Sequence, residues 1–358
     1  MIILGIESTC DETSAAVVED GRKILSNVVA SSSAMHKKYG GIVPEVAARE
    51  QIKVIIPTID EALQVSGNKY QDLDAIAIAY GPGLIGSLLI GVETARALAL
   101  AWNKPLIGVN HLVGHIYANW LAPIGISNLP KFPLIALVVS GGHTDLILMK
   151  GHGKFKWLGG TRDDSAGEAF DKVARVLGLG YPGGPEIERI ARNIKYQMDK
   201  FSFENPNIKF PRPMINSKDF DFSFSGLKTA VVDKLSLRSS SLDKLGTTGL
   251  RVKSLEFRVK REEIAHEFQE AVTDVLLKKT FAAAKEFGAK SVVVGGGVAA
   301  NSVLRQRMED GGSKNNIEVF FPQGRLAVDN GAMIAAAAFY ERNFVDPLAL
   351  RADPGLHF

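Results

Sequence analysis

The sequence contains almost no cysteine. Cys10 is the only one among 358 residues, so no disulfide can form within the chain, and nothing indicates an oxidising compartment. The first residues, MIILGIES, lack the basic segment, apolar core and cleavage site of a signal peptide. No run approaches the ~18 consecutive apolar residues of a membrane helix. We therefore expect a soluble cytoplasmic protein.

An excess of charge of one sign is also missing. The net charge is +3 and the pI is near 8.7, which permits a nucleic-acid partner without implying one, because a strong nucleic-acid footprint is a clustered basic face. The hydrophobic share of 46% and the charged share of 23% exclude a disordered chain. At roughly 150 residues per domain, the length predicts about two domains.

One pattern of strands occurs twice. Residues 2–6 are apolar, and they are followed by the polar loop ESTCDET, a strand, a turn at Gly21 and another strand. Residues 133–139 are likewise followed by the loop SGGHT, a strand, a glycine turn and a strand. Two halves that each open with such a meander predict a duplicated α/β architecture with a cleft between two lobes.

Other elements can be placed from local signals. Residues 74–82 (DAIAIAYGP) read as a buried strand, and an Ala/Leu-rich helix follows through residue 100. Ser165 and Glu168 form a capping-box pattern for a helix that ends near Gly178. These signals fix the positions of the loops between the elements.

Later helices are marked in the same way. Pro185 suits the first turn of one helix. Another helix ends at Gly288, before the strand SVVV. The apolar residues of this helix fall at helical spacing: Ile264, Phe268, Val272, Val275 and Leu276. The span 236–260 is rich in Ser, Lys and Arg with weak periodicity, and we expect a surface insertion there.

Four loops after predicted strands are rich in small, polar or glycine residues. They cover residues 7–13, 139–144, 181–185 and 294–301. Glycine lets the backbone approach an anion closely, and a following helix N-terminus favours phosphate. Each loop alone has a steric alternative, because tight turns also need glycine. Together they favour a nucleotide or another phosphate-bearing ligand.

The last of these loops resembles a dinucleotide fingerprint. Residues 295–300 (GGGVAA) fit G-x-G-x-x-A, which requires an acidic residue at the end of the next strand. Glu318 has the spacing but begins its strand, and the loop lies far from the first βαβ unit. A Rossmann site is therefore disfavoured, and the P-loop sequence GxxxxGK[ST] is absent from the chain.

Two histidines lie four residues apart in NHLVGH. On a helix, His111 and His115 would share a face and could both bind a metal. A protease of the H-E-x-x-H type needs glutamate where this chain has Leu112. Asp329 in LAVDNGAM is a candidate third ligand. The alternatives are histidines that line a polar cleft without metal, and a helix-capping aspartate.

Three further features have equally plausible structural explanations. Cys10 is expected to be a small loop residue, since no histidine lies near it in sequence. His143 is a candidate phosphate contact or a satisfied loop histidine. The turn in 222–229 (FSFSGLKT) can hold an anion or cap a helix.

These motifs together resemble a known family. The quoted loops and NHLVGH, with GGIVPEVAAREQ, GPGLIGSLLIG, GEAFDKVARVLGL and DNGAM, occur in the same order from residue 3 to about 340 in the universal tRNA N6-adenosine threonylcarbamoyltransferases. This is the TsaD/Gcp family, formerly named O-sialoglycoprotein endopeptidases, and its bacterial form fits best. The resemblance implies an actin-like fold of the sugar kinase/Hsp70/actin (ASKHA) type. It also implies transfer of threonylcarbamoyl from threonylcarbamoyl-AMP to N6 of adenosine 37, in tRNAs that read codons starting with A.

The resemblance also implies roles for individual residues. His111, His115 and Asp329 match the family's metal ligands, and the metal is usually described as Fe(2+). The residues that match its adenylate contacts are Val138, Val139, Ser140, Gly141, Gly142, Asp171, Gly184 and Asn301. Glu188 stands where many members have Asp, and Val138 where some archaeal and eukaryotic members have a metal-binding Tyr. No catalytic base is assigned.

Lobes and partners follow from the same resemblance. It implies a first lobe of residues 1–131 joined by about 333–358, and a second lobe of 132–332 with an insertion at about 186–262. It implies tRNA as substrate, and a degenerate TsaB-like paralogue and a small TsaE-like P-loop ATPase as partners. The competing hypotheses are a sugar-kinase-like or chaperone-like ATPase and a metalloprotease.

Overall fold

The computed structural model describes residues 1–121, 128–201, 208–236 and 249–358. Its strands are β1 (Ile2–Glu7), β2 (Glu12–Glu19), β3 (Lys23–Ser31), β4 (Ala75–Gly81), β5 (Leu106–Asn110), β6 (Leu134–Val139), β7 (Thr144–Met149), β8 (Phe155–Gly160), β9 (Ser291–Gly295), β10 (Glu318–Phe320) and β11 (Phe344–Val345). Its helices are α1 (Ser33–His36), α2 (Pro44–Ser66), α3 (Ile85–Trp102), α4 (His111–Tyr117), α5 (Ala166–Val176), α6 (Gly183–Phe201), α7 (Ser225–Ser236), α8 (Gly249–Glu286), α9 (Ser302–Asn315) and α10 (Gly331–Glu341).

The two sheets have corresponding strand orders over five strands, and the first sheet has β11 as an additional edge strand. The first runs β11-β5-β4-β1-β2-β3 and the second β10-β9-β6-β7-β8. In each, the opening meander pairs antiparallel, and its first strand pairs in parallel with a later strand, β1 with β4 and β6 with β9. This repeated topology confirms the predicted duplicated α/β architecture, a two-lobed, actin-like fold.

The two helices α4 and α10 pack into a hydrophobic core that residues of both sheets share. Helix α10 approaches the first sheet closely because both contacting residues are glycine: a Cβ on Gly5 would stand 2.2 Å from the Gly331 carbonyl oxygen. The Gly331 amide also donates to the Ser14 hydroxyl, 2.8 Å away. These contacts fix the start of α10, and with it the residues just before it, beside β1.

Helices α2 and α3 contribute to the core on the other side of the first sheet. α3 is 18 residues long with a mean hydropathy of 1.4, long and apolar enough by these measures to cross a membrane. Ser87, Glu93, Thr94 and Arg96 interrupt its apolar residues, so the expectation that no uninterrupted apolar run reaches that length still holds. The helix nevertheless packs against the sheet, where Leu88, Val92 and Ala95 are fully buried. A core helix passes the same test, so the finding is weak evidence for a membrane span.

Helix signals in the second lobe are confirmed with one correction. Ser165 caps α5 by accepting a hydrogen bond from the Glu168 amide (3.0 Å), as predicted. The capping box is not closed, because the Glu168 carboxylate pairs with Lys172 at 2.9 Å. Within the span 236–260, where a surface insertion is expected, the chain is helical from Gly249, the first residue of α8. Residues 237–248 lie outside the described residues.

The turn in FSFSGLKT caps a helix, and the anion bound there is a carboxylate of the protein itself. Asp163 accepts hydrogen bonds from the amides of Phe224 (2.8 Å) and Ser225 (3.2 Å) at the start of α7. The hydroxyls of Ser223 and Ser225 donate to the same carboxylate at 2.6 and 2.7 Å. These hydrogen bonds lower the pKa of Asp163, although burial opposes them. The structure thus supports the capping interpretation over a ligand anion.

Candidate metal centre and nucleotide cleft

The candidate metal centre forms where parallel strands end. β1, β4 and β5 run in parallel, so their carboxyl ends meet at one edge of the sheet. Glu7 ends β1, and Asn110 ends β5 and caps α4 by accepting from the Leu112 amide at 2.8 Å. The cap starts the helix at His111, so the first turn of α4 presents its histidine towards the end of β1.

The structure brings the three predicted ligand residues together. His115 Nε2 lies 3.2 Å from Asp329 Oδ1, and His111 Nε2 lies 3.6 Å from the same oxygen. The three possible ligand atoms, one from each residue, all lie within 4.8 Å of one another. Asp329 is not the helix cap, because Asn330 takes that role by accepting from the Met333 amide at 3.0 Å.

The chemistry of this cluster fits a metal ion. His115 is buried, and its two ring nitrogens make no hydrogen bond to any residue that the structure describes. Buried polar atoms are normally satisfied, so a buried imidazole that makes no hydrogen bond and has only the ion-pair contact with Asp329 indicates room for a further partner. His111 differs, since its Nδ1 lies 2.9 Å from Glu7 Oε2 and leaves Nε2 directed at Asp329.

Electrostatics at the cluster favour a cation. Burial alone would lower the pKa of His111, but the charges of Glu7 and Asp329 raise it to about 9. Burial alone would raise the pKa of Asp329, but His111, His115 and His143 lower it to about 2. The surroundings therefore keep the carboxylate ionised and stabilise a positive charge next to it.

The loop between β1 and β2 lies beside this cluster. Gln51 of α2 holds it by donating to the carbonyls of Cys10 (2.8 Å) and Glu12 (3.0 Å). Burial and the charge of Asp329 raise the pKa of the Cys10 thiol far above its ordinary value, so it stays protonated and is a poor nucleophile. This supports the interpretation of Cys10 as a loop residue.

The glycine loop after β9 reaches α4, the helix that carries His111 and His115. A Cβ on Gly295 would stand 2.5 Å from the His115 carbonyl oxygen, so only glycine allows this approach. Asn119, just after α4, donates to the Val294 carbonyl at 3.2 Å. Gly296, at φ +91°, lies against the Val139 carbonyl of β6. The loops after β6 and β9 are therefore adjacent, and the loop after β9 lies directly against the helix of the two histidines.

Several predicted ligand-contacting glycines face open space. A Cβ on Gly141, Gly142 or Gly184 would meet nothing within 4 Å. Gly141 and Gly142 form the tip of a turn in which the Ser140 amide donates to the His143 carbonyl at 2.9 Å. Their backbone is thus accessible to a ligand. Burial and the imidazoles of His111, His115 and His357 lower the pKa of His143 to about 4, so this histidine is neutral at neutral pH.

Asp171 positions the loop YPGGP. Its carboxylate accepts from the Gly183 amide at 2.6 Å, and burial raises its pKa. The pKa of Tyr181 is raised by burial and then by the charges of Asp171 and Asp11. Asp11 belongs to the loop after β1, so the acidic groups of that loop and of α5 both act on Tyr181.

Other predicted adenylate contacts already have partners within the protein. Asn301 caps α9 by accepting from the Leu304 amide at 3.0 Å, and donates to Gln269 at 2.9 Å. Glu188 accepts from the Ser302 hydroxyl at 2.5 Å and pairs with Arg192.

The predicted contacts on β6 are buried. Val138 and Val139 are fully buried, each in a different hydrophobic core, so only their backbone is left for a ligand.

The loop 295–300 lies in a true βαβ unit, because β9 and β10 pair in parallel around α9. Glu318 is nevertheless the first residue of β10 and accepts a hydrogen bond from Asn128. The acidic residue is therefore at the wrong end of the strand for a ribose contact, as expected from the sequence.

The fold and the site define a two-lobed, actin-like protein with a His–His–Asp cluster at its cleft. A family profile described as "TsaD: tRNA N6-adenosine threonylcarbamoyltransferase" matches residues 23–336. A protein of that name from Moorella thermoacetica is 48% identical over 358 residues, covering 99% of this chain and 96% of the relative. One from Thermomicrobium roseum is 49% identical over 347 residues, covering 95% and 92%. The chain belongs to the tRNA N6-adenosine threonylcarbamoyltransferase family, which confirms the resemblance.

Solved structures agree with the fold. HypF from T. kodakarensis superposes with a TM-score of 0.56 at 14% identity, covering 95% of this chain and 48% of that chain. Full-length HypF in a phosphate- and nucleotide-bound form gives a TM-score of 0.55 at 13% identity, covering 95% and 55%. At these identities the likeness shows the fold alone.

Proposed function

We propose that this protein transfers the threonylcarbamoyl group from threonylcarbamoyl-AMP to N6 of adenosine 37, in tRNAs that read codons starting with A. Membership of the family confirms the predicted class of enzyme, a tRNA-modifying acyltransferase. The observation that carries the proposal is the His111, His115 and Asp329 cluster beside open glycine loops. The target base must be unstacked, which an anticodon loop allows.

The donor is a mixed anhydride with a good leaving group, so the reaction needs alignment and charge stabilisation more than a protein nucleophile. We propose that the exposed amides of Gly141, Gly142 and Gly184 bind the adenylate, with the neutral His143 nearby as a hydrogen-bonding group. Asp171 holds the YPGGP loop in place through the Gly183 amide. Asn301 and Glu188 contribute mainly by fixing the start of α9.

We propose that one divalent metal, Fe(2+), binds to His111, His115 and Asp329. Two imidazoles and one carboxylate are the ligand set of many non-haem Fe(II) sites. A bound metal of this kind supplies a Lewis acid that stabilises charge on carbonyl and phosphate oxygens. Glu7 and the cap at Asn110 orient the protein ligands around it. The metalloprotease hypothesis is disfavoured, since Leu112 is fully buried where a catalytic glutamate would be needed.

We propose that a TsaB-like paralogue and a TsaE-like ATPase assist the reaction in the cytoplasm. Support comes from an exposed apolar face on α2 and α3, on which Ile52 is 67%, Ile56 47%, Ile85 50% and Leu89 46% exposed. Ile85 and Leu89 also contribute to the high mean hydropathy of α3. A related fold could pack its own helix pair against this face.

A pair of substitutions tests whether this face, and not another part of the surface, binds the paralogue. Leu89→Asp should abolish co-purification with the paralogue, whereas Val65→Asp, at the far end of α2 and 62% exposed, should not. Equal co-purification by both variants would exclude the α2–α3 face.

We propose that the lobes are 1–131 with 333–358, and 132–332 with an insertion at about 186–262. The packing of α10 on β1 and β2 supports this division, because the chain returns to the first sheet after completing the second.

Nucleoside mass spectrometry of tRNA tests the function. Cells depleted of this protein should lose threonylcarbamoyladenosine, and the wild-type gene should restore it. A His111→Ala, His115→Ala double variant should not restore it. Unchanged modification after depletion would contradict the proposal and reopen the hypothesis of an ATPase on the same fold.

A further inference from the structure

We infer that Glu7 is a positioning residue for the metal centre: it fixes the ring of His111 with Nε2 directed at the metal. This inference rests on the proposed metal site. The sequence gives no sign of this role, because Glu7 begins a polar loop motif and lies 104 positions before His111.

The contact geometry carries the inference. The Glu7 side chain is 1% exposed, and its Oε2 lies 2.9 Å from His111 Nδ1. A histidine whose Nδ1 donates to a carboxylate keeps the lone pair on Nε2 free for a metal. His111 Nε2 is the atom that faces Asp329. The Thr9 hydroxyl lies 3.2 Å from the same Nδ1 and adds a second, uncharged neighbour.

Glu7 also holds the loop that follows it. Its second oxygen, Oε1, accepts a hydrogen bond from the Thr9 amide at 2.6 Å. Both carboxylate oxygens are therefore acceptors, one for the backbone of the loop and one for the imidazole. Glutamine has a single side-chain oxygen, so it can satisfy either Thr9 or His111 but not both. If the glutamine oxygen accepts from Thr9, its NH₂ group faces His111 Nδ1 and favours the tautomer with the proton on Nε2. If the oxygen accepts from His111, the NH₂ group faces the Thr9 N–H, and two donors oppose each other.

The two histidines differ in this respect. His115 Nδ1 has no hydrogen-bond partner among the described residues, whereas His111 Nδ1 has the buried carboxylate. Gly295 packs closely on the backbone of His115, and the Nε2 of this ring lies 3.2 Å from Asp329. Loss of Glu7 should therefore affect the metal chiefly through His111.

The test measures Zn²⁺ binding to the full chain, with Zn²⁺ alone as probe and a chromophoric chelator as competitor. Glu7→Gln should weaken Zn²⁺ affinity by about 10- to 100-fold, the usual effect of losing an outer-shell partner. Gln51→Met is the matched control, because Gln51 is buried and holds the same loop through the Cys10 and Glu12 carbonyls without contacting His111. It should change Zn²⁺ affinity by less than about threefold, well below the outer-shell effect.

A spectroscopic measurement on the wild-type protein reports the bound ring nitrogen and the tautomer of His111 directly, without the Glu7→Gln variant. In Zn²⁺-loaded protein labelled with [15N]histidine, His111 should bind through Nε2 and show a slowly exchanging Nδ1–H. The resonance is assigned by its loss in His111→Asn. Binding through Nδ1, or no such proton, would overturn the inference.

The remaining outcomes are distinct. If Glu7→Gln binds Zn²⁺ as tightly as wild type, the positioning role is wrong while the metal site stands. If Gln51→Met loses as much affinity as Glu7→Gln, loop order and not the His111 contact sets the affinity, and the inference fails. If the wild-type protein binds no Zn²⁺, the metal site and the positioning role are both overturned.

Discussion

Asp329 Oδ1 lies 3.2 Å from His115 Nε2, although the first residue precedes α10 and the second is on α4. The close contact between Gly5 and Gly331 places the start of α10 beside β1 and makes this approach possible. Asp329 and the two histidines therefore depend on packing in the shared core as well as on their own chemistry.

The three candidate ligands should lose metal together. His111→Ala, His115→Ala and Asp329→Ala each remove one of few protein ligands, so each should reduce bound metal by at least an order of magnitude. Threonylcarbamoyl transfer should fall in parallel. Metal content by mass spectrometry and a tRNA modification assay check this, with His266→Ala on α8 as the histidine control. Full activity in a metal-free His111→Ala, His115→Ala variant would contradict it.

Restoring the H-E-x-x-H pattern should not make a protease. Leu112 is fully buried in the shared core, so Leu112→Glu places a carboxyl group among apolar side chains. We expect a loss of about 3 kcal/mol or more in the free energy of unfolding. Thermal unfolding and a peptide cleavage assay measure the two effects. Peptide cleavage by a stable Leu112→Glu protein would refute the assignment.

Asn301 can be tested without losing the helix cap. Asn301→Ala should lower the free energy of unfolding by about 1–2 kcal/mol, because it removes the acceptor for the Leu304 amide. Asn301→Asp keeps that acceptor, and Gln269 can rotate its amide to donate to it. Asn301→Asp should therefore unfold near the wild-type temperature, yet bind an adenylate analogue at least tenfold more weakly, because its charge repels phosphate. Wild-type affinity by calorimetry in this variant would place the phosphate elsewhere.

Much of the fold could be predicted from the sequence because its signals are local. The two meanders show as apolar runs separated by polar loops, and His111 and His115 share a helical face at a spacing of four. Glu7 could not be recognised in this way. Its role depends on β1 and β5 ending at one sheet edge, and its only signal is an acidic residue directly after an apolar strand.

Two other features of the structure could not be predicted from the sequence, for physical reasons. The first turns of α8 lack the apolar periodicity that indicates a helix, so the sequence shows residues 249–260 only as part of a surface insertion and does not reveal that they are helical. Asn301 and Glu188 match the family's ligand contacts by motif, but a motif does not reveal their existing partners Leu304, Gln269 and Ser302.

Gly295 should be sensitive to the smallest substitution. In Gly295→Ala the new Cβ would stand 2.5 Å from the His115 carbonyl oxygen, so α4 or the loop must move. We expect a loss of about 1–3 kcal/mol in the free energy of unfolding and weaker metal binding. Gly297→Ala is the control, because its Cβ would meet nothing within 4 Å. Denaturant unfolding and Zn²⁺ titration compare them, and equal behaviour of the two variants would refute the close contact.

The last prediction concerns Glu341 at the end of α10. Burial raises the pKa of its carboxyl from 4.5 to about 7. Between these two pH values the folded protein binds more protons than the unfolded chain, so this group makes the free energy of unfolding fall as the pH rises. Above pH 7 the carboxyl is ionised in the folded protein as well, so the free energy of unfolding is reduced by the full cost of ionising a buried carboxyl. Glu341→Gln should therefore stabilise the protein by about 1–3 kcal/mol at pH 8 and have little effect at pH 5.

Chemical denaturation of Glu341→Gln and wild type at both pH values gives the difference directly, and other titrating groups cancel in the comparison. Glu286→Gln, at the exposed end of α8, is the control for removing a negative charge from a helix C-terminus. That change relieves only an unfavourable interaction with the helix dipole, worth about 0.3–1 kcal/mol. A stabilisation by Glu341→Gln that is equal at pH 5 and pH 8 would mean that the dipole, and not burial of the carboxyl, accounts for the effect.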